Sequence, residues 1–174
     1  MTSTIRKEIP WQEVSQIIEA KLPSGLFLTT AAEGISPNTM AVGWGGIDFF
    51  FGKGFFLAPV RTSRYTYEIL QKSGEFTISV PLDDMTAEMT FAGKNSGRDV
   101  NKLEGHGLST APSQAVSAPI ISECGLHLEC RVLFTADVTQ AHIDEKIYAQ
   151  YYASRSDGLH TLFFGEILHC YYTK

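Results

Sequence analysis

No apolar run of about 18 residues occurs in this 174-residue chain, so it contains no segment of helical membrane-span length. The opening residues, Met1-Thr2-Ser3-Thr4-Ile5-Arg6-Lys7-Glu8, lack the apolar stretch of a secretory leader, and the expectation is a cytoplasmic protein. Cysteine is scarce. Cys124, Cys130 and Cys170 are an odd number at no metal-ligand spacing, so each reads as a small apolar residue on a strand, and no metal site is expected. His106, His127, His142, His160 and His169 form no HExxH pair, and there is no GxSxG elbow. A GxxxxGK[ST] phosphate loop is also missing. The run Gly43-Trp44-Gly45-Gly46 has the wrong spacing for GxGxxG, which argues against a conventional dinucleotide fold. Basic residues are outnumbered, 14 Lys and Arg against 19 Asp and Glu. The formal charge of −5 argues against non-specific nucleic-acid binding, which needs a basic face, and leaves room for a local basic pocket.

What is present reads as one globular domain over residues 1–174, with 44% hydrophobic and 19% charged residues. Val14, Ile17, Ile18 and Leu22 recur at helical intervals between Pro10 and Pro23, which predicts a helix over 11–22. Strands are expected at 25–32, 38–44 and 55–60, with Glu33-Gly34 as a turn between the first two. A helix over 64–73 follows, with Ser63 as its N-cap and Gly74 as its stop. The alternation Glu75-Phe76-Thr77-Ile78-Ser79-Val80 predicts a half-buried strand. Short helices are expected at 83–91 and 99–103, a loop at 105–118 and a helix within 143–153. Long strands are expected at 126–138 and 161–172. Many strands with short helices between them, and no regular βαβ alternation, predict a mainly β, antiparallel barrel or sheet with peripheral helices.

Two segments carry the equipment for holding a phosphate. In Pro59-Val60-Arg61-Thr62-Ser63-Arg64-Tyr65-Thr66-Tyr67 a strand runs into a helix start. Arg61 offers a planar fork of donors, and Ser63 with the helix-start amides can complete the shell. In Lys94-Asn95-Ser96-Gly97-Arg98-Asp99-Val100-Asn101-Lys102, Gly97 permits close backbone approach beside Ser96, Arg98 and Lys102. The plain alternatives are a capping Ser63 with solvated arginines, and an ordinary polar loop. A third segment, Asn38-Thr39-Met40-Ala41-Val42-Gly43-Trp44, combines small residues, a hydrogen-bonding Asn38 and an aromatic wall at Trp44. His160, after Asp157-Gly158 and before a strand, is the histidine most suited to face a pocket.

With Gly74 to Pro81 and with Phe164-Gly165-Glu166-Ile167 after His160, these pieces resemble the flavin reductase-like family, on its flavoredoxin side. They fall in the family's order over roughly residues 20–170. The resemblance implies an FMN-binding antiparallel split β-barrel with short peripheral helices. It implies that Asn38, Thr39, Met40, Ala41, Val42, Gly43 and Trp44 line the isoalloxazine. Arg61, Thr62, Ser63, Tyr65 and Thr66 would hold the FMN phosphate. Ser96, Arg98 and Lys102 would lie by the phosphate and ribityl tail, from the same chain or from the partner subunit of a homodimer, and His160, the catalytic candidate, near the reactive side of the ring. The function implied is NAD(P)H-dependent flavin reduction or flavoredoxin-type electron transfer, with NAD(P)H as a transient donor. The alternative is a non-enzymatic FMN-bound carrier, or a barrel that has lost redox activity. A homodimer is implied, as is a redox partner protein or flavin-dependent monooxygenase. The chain departs from the family at Thr62, where Pro is frequent, at Asn101, where Asp is frequent, and at Ala92, near which the family often carries Cys.

Overall fold

Antiparallel strands, several of them alternating apolar and polar residues, form the frame of this protein. The computed structural model describes residues 5–104 and 106–174. Met1–Thr4 of the segment read for a leader, and Gly105 at the head of the expected loop, lie outside the described residues. In chain order the elements are β1 (Arg6–Glu8), α1 (Ser15–Lys21), β2 (Leu26–Ala32), β3 (Ile35–Val42), β4 (Gly46–Phe50), β5 (Lys53–Arg61) and α2 (Tyr65–Ser73). They continue with β6 (Glu75–Val80), α3 (Thr86–Lys94), β7 (Thr110–Ala111), β8 (Ile120–Ile121), β9 (Leu126–Asp137), α4 (Glu145–Tyr151) and β10 (His160–Thr173).

The main sheet runs β3-β2-β6-β9-β10-β5-β4, with β1 added on β10, and every pairing is antiparallel. Alternate residues of six strands drain into one interior: Leu26 and Leu28, Met40 and Val42, Phe56, Ala58 and Val60, Phe76 and Ile78, Leu128 and Cys130, and Phe163. Ile18 of α1 and Leu70 of α2 join them. A single interior fed from all around is that of a barrel. The barrel is split, because β3 and β4, the ends of the strand order, do not pair with each other. A smaller cluster forms outside β2, where Phe27 packs under Met89 and Ala92 of α3 and against Leu108, Ile121 and Cys124. All three cysteines are free and buried, and burial raises each thiol, Cys170 to about 12. Among the described residues no helix is long and apolar enough to cross a membrane.

Several local expectations need correction. The helix expected over 11–22 is broken into a 3-10 turn at Trp11–Glu13, α1, and a second 3-10 turn at Leu22–Ser24 that contains Pro23. The N-cap of α2 is Arg64, in extended conformation, and not Ser63; no side chain caps this helix. Gly74, at φ 62, does stop it. Helix α3 is shifted to 86–94, because Asp84 accepts the Thr86 amide at 3.0 Å and so places the first turn later. No helix forms at 99–103. There the chain turns, and Lys102 is drawn inward by backbone carbonyls. Strands β1 and β4 were not anticipated, and the expected loop contains β7, paired with β8.

Candidate functional site

The three segments singled out in the sequence converge at one side of the barrel, where β3, the β5–α2 junction, the 95–102 loop and the start of β10 meet. Two adjoining cavities lie there. The first, of about 180 Å³, is lined by Met40 to Trp44, Pro59, Arg61, Arg64, Arg155 and His160. The second, of about 220 Å³, is lined by Asn38, Met40, Ser63 to Thr66, Asn95 to Arg98, Lys102 and Asp157. Each is smaller than the roughly 300 Å³ of a small-molecule pocket, but they share Met40 and Arg64, and together make a bent trench of that size.

The two ends differ in chemistry. At the first, Ala41 and Gly43 keep the wall low, and Trp44, nearly half exposed, stands 5.2 Å from the His160 ring and 5.2 Å from the Tyr151 ring. This is a flat, aromatic-edged surface. His160 is hydrogen-bonded through Nδ1 to the Tyr152 hydroxyl at 2.8 Å. Burial, followed by the charge of Arg61, lowers its pKa to about 4 against the opposing pull of Asp157. The imidazole is therefore neutral at physiological pH and is a poor proton donor there.

The second end is polar. Its floor is the first turn of α2, whose amides have no side-chain cap and carry the positive end of the helix dipole. Asn38 is buried and donates to Thr66 Oγ1 at 2.8 Å, which pins β3 to this helix. Ser96 Oγ accepts from the Arg98 amide at 3.2 Å. Arg98 gives Nη1 to the Ser63 carbonyl at 3.0 Å, pairs with Glu68, and lies 5.4 Å from the Tyr65 ring centroid. Lys102 is buried and donates to the carbonyls of Thr39 and Ala92, both at 2.9 Å. Burial, with the neighbouring charge of Arg64, lowers its pKa to about 8.

Two residues read as site candidates do not reach either cavity. The Thr39 side chain is buried, bonded to Thr29 Oγ1 at 3.1 Å and to the Leu28 carbonyl at 3.3 Å. Thr62 sits in the exposed turn beyond β5, its amide donating to the Leu159 carbonyl at 3.1 Å. Arg61 does line the trench, but its guanidinium is spent on Asp157, Gly158 and Tyr151. Sequence reasoning overlooked Arg64, Gly97, Arg155 and Asp157 as lining residues. Arg64 and Gly97 were inside segments already singled out. Arg155 and Asp157 carried a weak signal, the turn-forming Asp157-Gly158 just before His160.

A flat aromatic-edged slot joined to a cationic, amide-rich end suits a ligand with a planar ring system and a phosphorylated tail, and the FMN expected from the sequence has that form. A family model described as flavin reductase like domain matches residues 20–174. An uncharacterized protein of Archaeoglobus fulgidus is 31% identical over 158 residues, which is 90% of this chain and 77% of that protein. The flavoredoxin of Methanosarcina acetivorans is 26% identical, with a TM-score of 0.64 over 84% of this chain and 67% of its own. The FMN-binding domain of a flavin reductases-like enzyme from Shewanella baltica shares the fold at 19% identity. Its TM-score is 0.71 over 99% of this chain and 79% of its own.

Proposed function

This chain belongs to the flavin reductase-like family, and from that premise we propose that it is an FMN-binding oxidoreductase that takes a hydride from NAD(P)H. The observation that carries the reading is the bent trench, with its aromatic-edged slot at one end and the uncapped start of α2 beside Arg64 at the other. FMN, when bound, supplies a two-electron acceptor that can also release electrons singly. The protein binds, orients and excludes water. Ala41 and Gly43 leave backbone groups open to the ring, and Trp44, Pro59 and His160 wall it. Ser63, Ser96 and the α2 amides serve the tail. Neutral His160 contributes a hydrogen-bonding edge and not an acidic proton.

Anaerobic mixing of the FMN-loaded protein with NADH and with NADPH tests the activity. Bleaching of the visible flavin band by at least one nucleotide, at a rate fast enough for turnover, is expected. Loaded protein that neither nucleotide bleaches contradicts a reductase and leaves the carrier reading.

The homodimer expected from the resemblance is also proposed, on a surface. Phe50, Phe51, Leu133 and Phe134 are exposed large apolar side chains, and Phe134 lies 5.2 Å from the Phe164 ring. Strand register sets Phe164 beside Leu57 and Leu162 beside Pro59, so the face continues to the ring end of the trench. A contiguous apolar face of this kind is unusual on a monomer, and a second copy of the chain is the occupant we assign to it. Sedimentation is expected to show a dimer for the wild type and a monomer for Phe134→Asp. A wild type that remains monomeric at tens of micromolar contradicts this assignment.

A further inference from the structure

We propose that Arg61 is a positioning residue for the 151–160 segment and that Arg64 is the arginine left to meet the anionic end of the flavin. The assignment rests on the flavin reading of the trench. The two arginines flank the same turn, and the sequence alone favours Arg61 as the phosphate fork. Their surroundings reverse that preference.

The Arg61 side chain is 8% exposed. Its Nη1 donates to Asp157 Oδ1 at 2.9 Å and to the Gly158 carbonyl at 2.8 Å, and its Nη2 donates to the Tyr151 carbonyl at 3.0 Å. The guanidinium carbon also lies 4.9 Å from the Tyr152 ring centroid. All of these partners belong to the segment joining the end of α4 to the start of β10. Turning Arg61 towards a phosphate would strip a carboxylate and two carbonyls of their charged donor, a costly exchange in a buried place. The bonds it keeps have a consequence at the trench. Tyr152, stacked on Arg61, bonds His160, and Tyr151 packs edge-on against Trp44. Arg61 thereby sets the rim of the ring end through Tyr151, Tyr152 and His160.

Arg64 has a different setting. It lines both cavities and is the residue from which α2 starts. Its Nη1 donates to the Gly93 carbonyl at 3.1 Å, and it forms no salt bridge among the described residues. A cation without a carboxylate, beside amides without a cap, is the arrangement an incoming phosphate can complete.

The test uses the full chain with Arg61→Ala, Arg61→Lys and Arg64→Ala. Three readouts are followed: FMN affinity by fluorescence titration, tryptic cleavage after Arg155 in flavin-free protein, and the visible circular dichroism of bound FMN. Arg64→Ala is expected to raise the Kd for FMN by about tenfold or more while leaving cleavage after Arg155 unchanged. Both Arg61 variants are expected to accelerate that cleavage and alter the dichroism, with a Kd within about threefold of wild type. Lysine is informative because it can serve a phosphate as a point charge but cannot reach three acceptors as a fork. A tenfold loss of FMN affinity in Arg61→Ala that Arg61→Lys restores would overturn the assignment. Arg64→Gln, which retains a donor towards Gly93, replaces Arg64→Ala if the latter does not fold. A wild type that binds no FMN refutes the functional reading, whereas unchanged cleavage after Arg155 in the Arg61 variants refutes the positioning role on its own.

Discussion

Gly97→Ala is expected to weaken FMN binding by about tenfold to a hundredfold while the protein stays folded. A Cβ at Gly97 would lie 2.0 Å from Asn38 Oδ1, 2.8 Å from Asn38 Cγ and 2.9 Å from Tyr65 Cδ1. Glycine is required here for space and not for an unusual backbone angle. Asn38 cannot retreat, because it is buried and held by Thr66 at 2.8 Å. The ring of Tyr65 is on the first residue of α2 and has Arg98 packed over it, 5.4 Å from its centroid. The loop must therefore lift. Its far end stays tied, since Lys102 holds the Thr39 and Ala92 carbonyls, so the damage is confined to the wall shared by Asn38, Tyr65 and Gly97. Overpacking of this kind costs about 1–3 kcal/mol, and here it falls on the binding-competent conformation. Calorimetric titration with FMN, paired with a thermal melt, checks this. Unchanged affinity in a stable variant contradicts the placement of the trench wall.

Stability should fall as pH is lowered from about 6.5 to about 4, by about 3 kcal/mol from His127 alone. His127 is fully buried, with Nδ1 at 3.0 Å from Ser79 Oγ and Nε2 at 3.0 Å from the Cys124 carbonyl and 3.1 Å from Thr173 Oγ1. Burial lowers its pKa from 6.5 to about 4, with the bond to the Cys124 carbonyl opposing and the charge of Arg6 adding. The sign follows from proton counting. The unfolded chain takes up a proton near 6.5 and the folded one only near 4, so between these values the unfolded state holds more protons and acid favours it. Above 6.5 both forms are neutral and this contribution is constant. His160 is shifted in the same direction over the same window. Carboxylates with lowered pKa, such as Glu75, lose their contribution only below their ordinary value of 4.5. Burial opposes the Glu75 shift, and its bonds from Ser117 and Arg131 overcome it. Urea midpoints measured from pH 7 to 4.5 isolate the histidine term, and His127→Gln should show a shallower slope. A flat profile over that range refutes the account.

Regular alternation made the barrel's spine readable. Glu75 to Val80 was delimited to the residue, and β9 and β10 to within a residue, because apolar and polar side chains alternate along them, although in β6 both faces are buried, Thr77 and Ser79 included, and not one face as its alternation suggests. The β4–β5 hairpin was hidden for the opposite reason. Gly46-Ile47-Asp48-Phe49-Phe50 has no alternation, and its turn places Phe51 at φ 51, where asparagine or glycine is the usual signal. No helix forms at 99–103, where the Ala92 carbonyl and the Thr39 carbonyl, 63 residues away, claim the Lys102 ammonium, contacts that helical periodicity does not register. The site shows the same division. Residues carried by contiguous segments, such as Met40 to Trp44 and Ser63 to Thr66, were visible together. The arrival of Asp157 and Arg155, some 90 residues beyond Arg64, depends on how β10 returns beside β5. Arg61 shows what a motif leaves out, since its place in the chain suggested a ligand and its partners made it a brace.

The central claim is that the bent trench holds FMN. The freshly purified chain, incubated with excess FMN and passed through gel filtration, tests it most directly through the visible absorption of the protein peak. The account predicts a yellow peak carrying about one FMN per chain, with an affinity in the micromolar range or tighter. A protein that emerges colourless and leaves FMN fluorescence unchanged even at high micromolar concentration would contradict it, and would leave the family's fold here without its flavin.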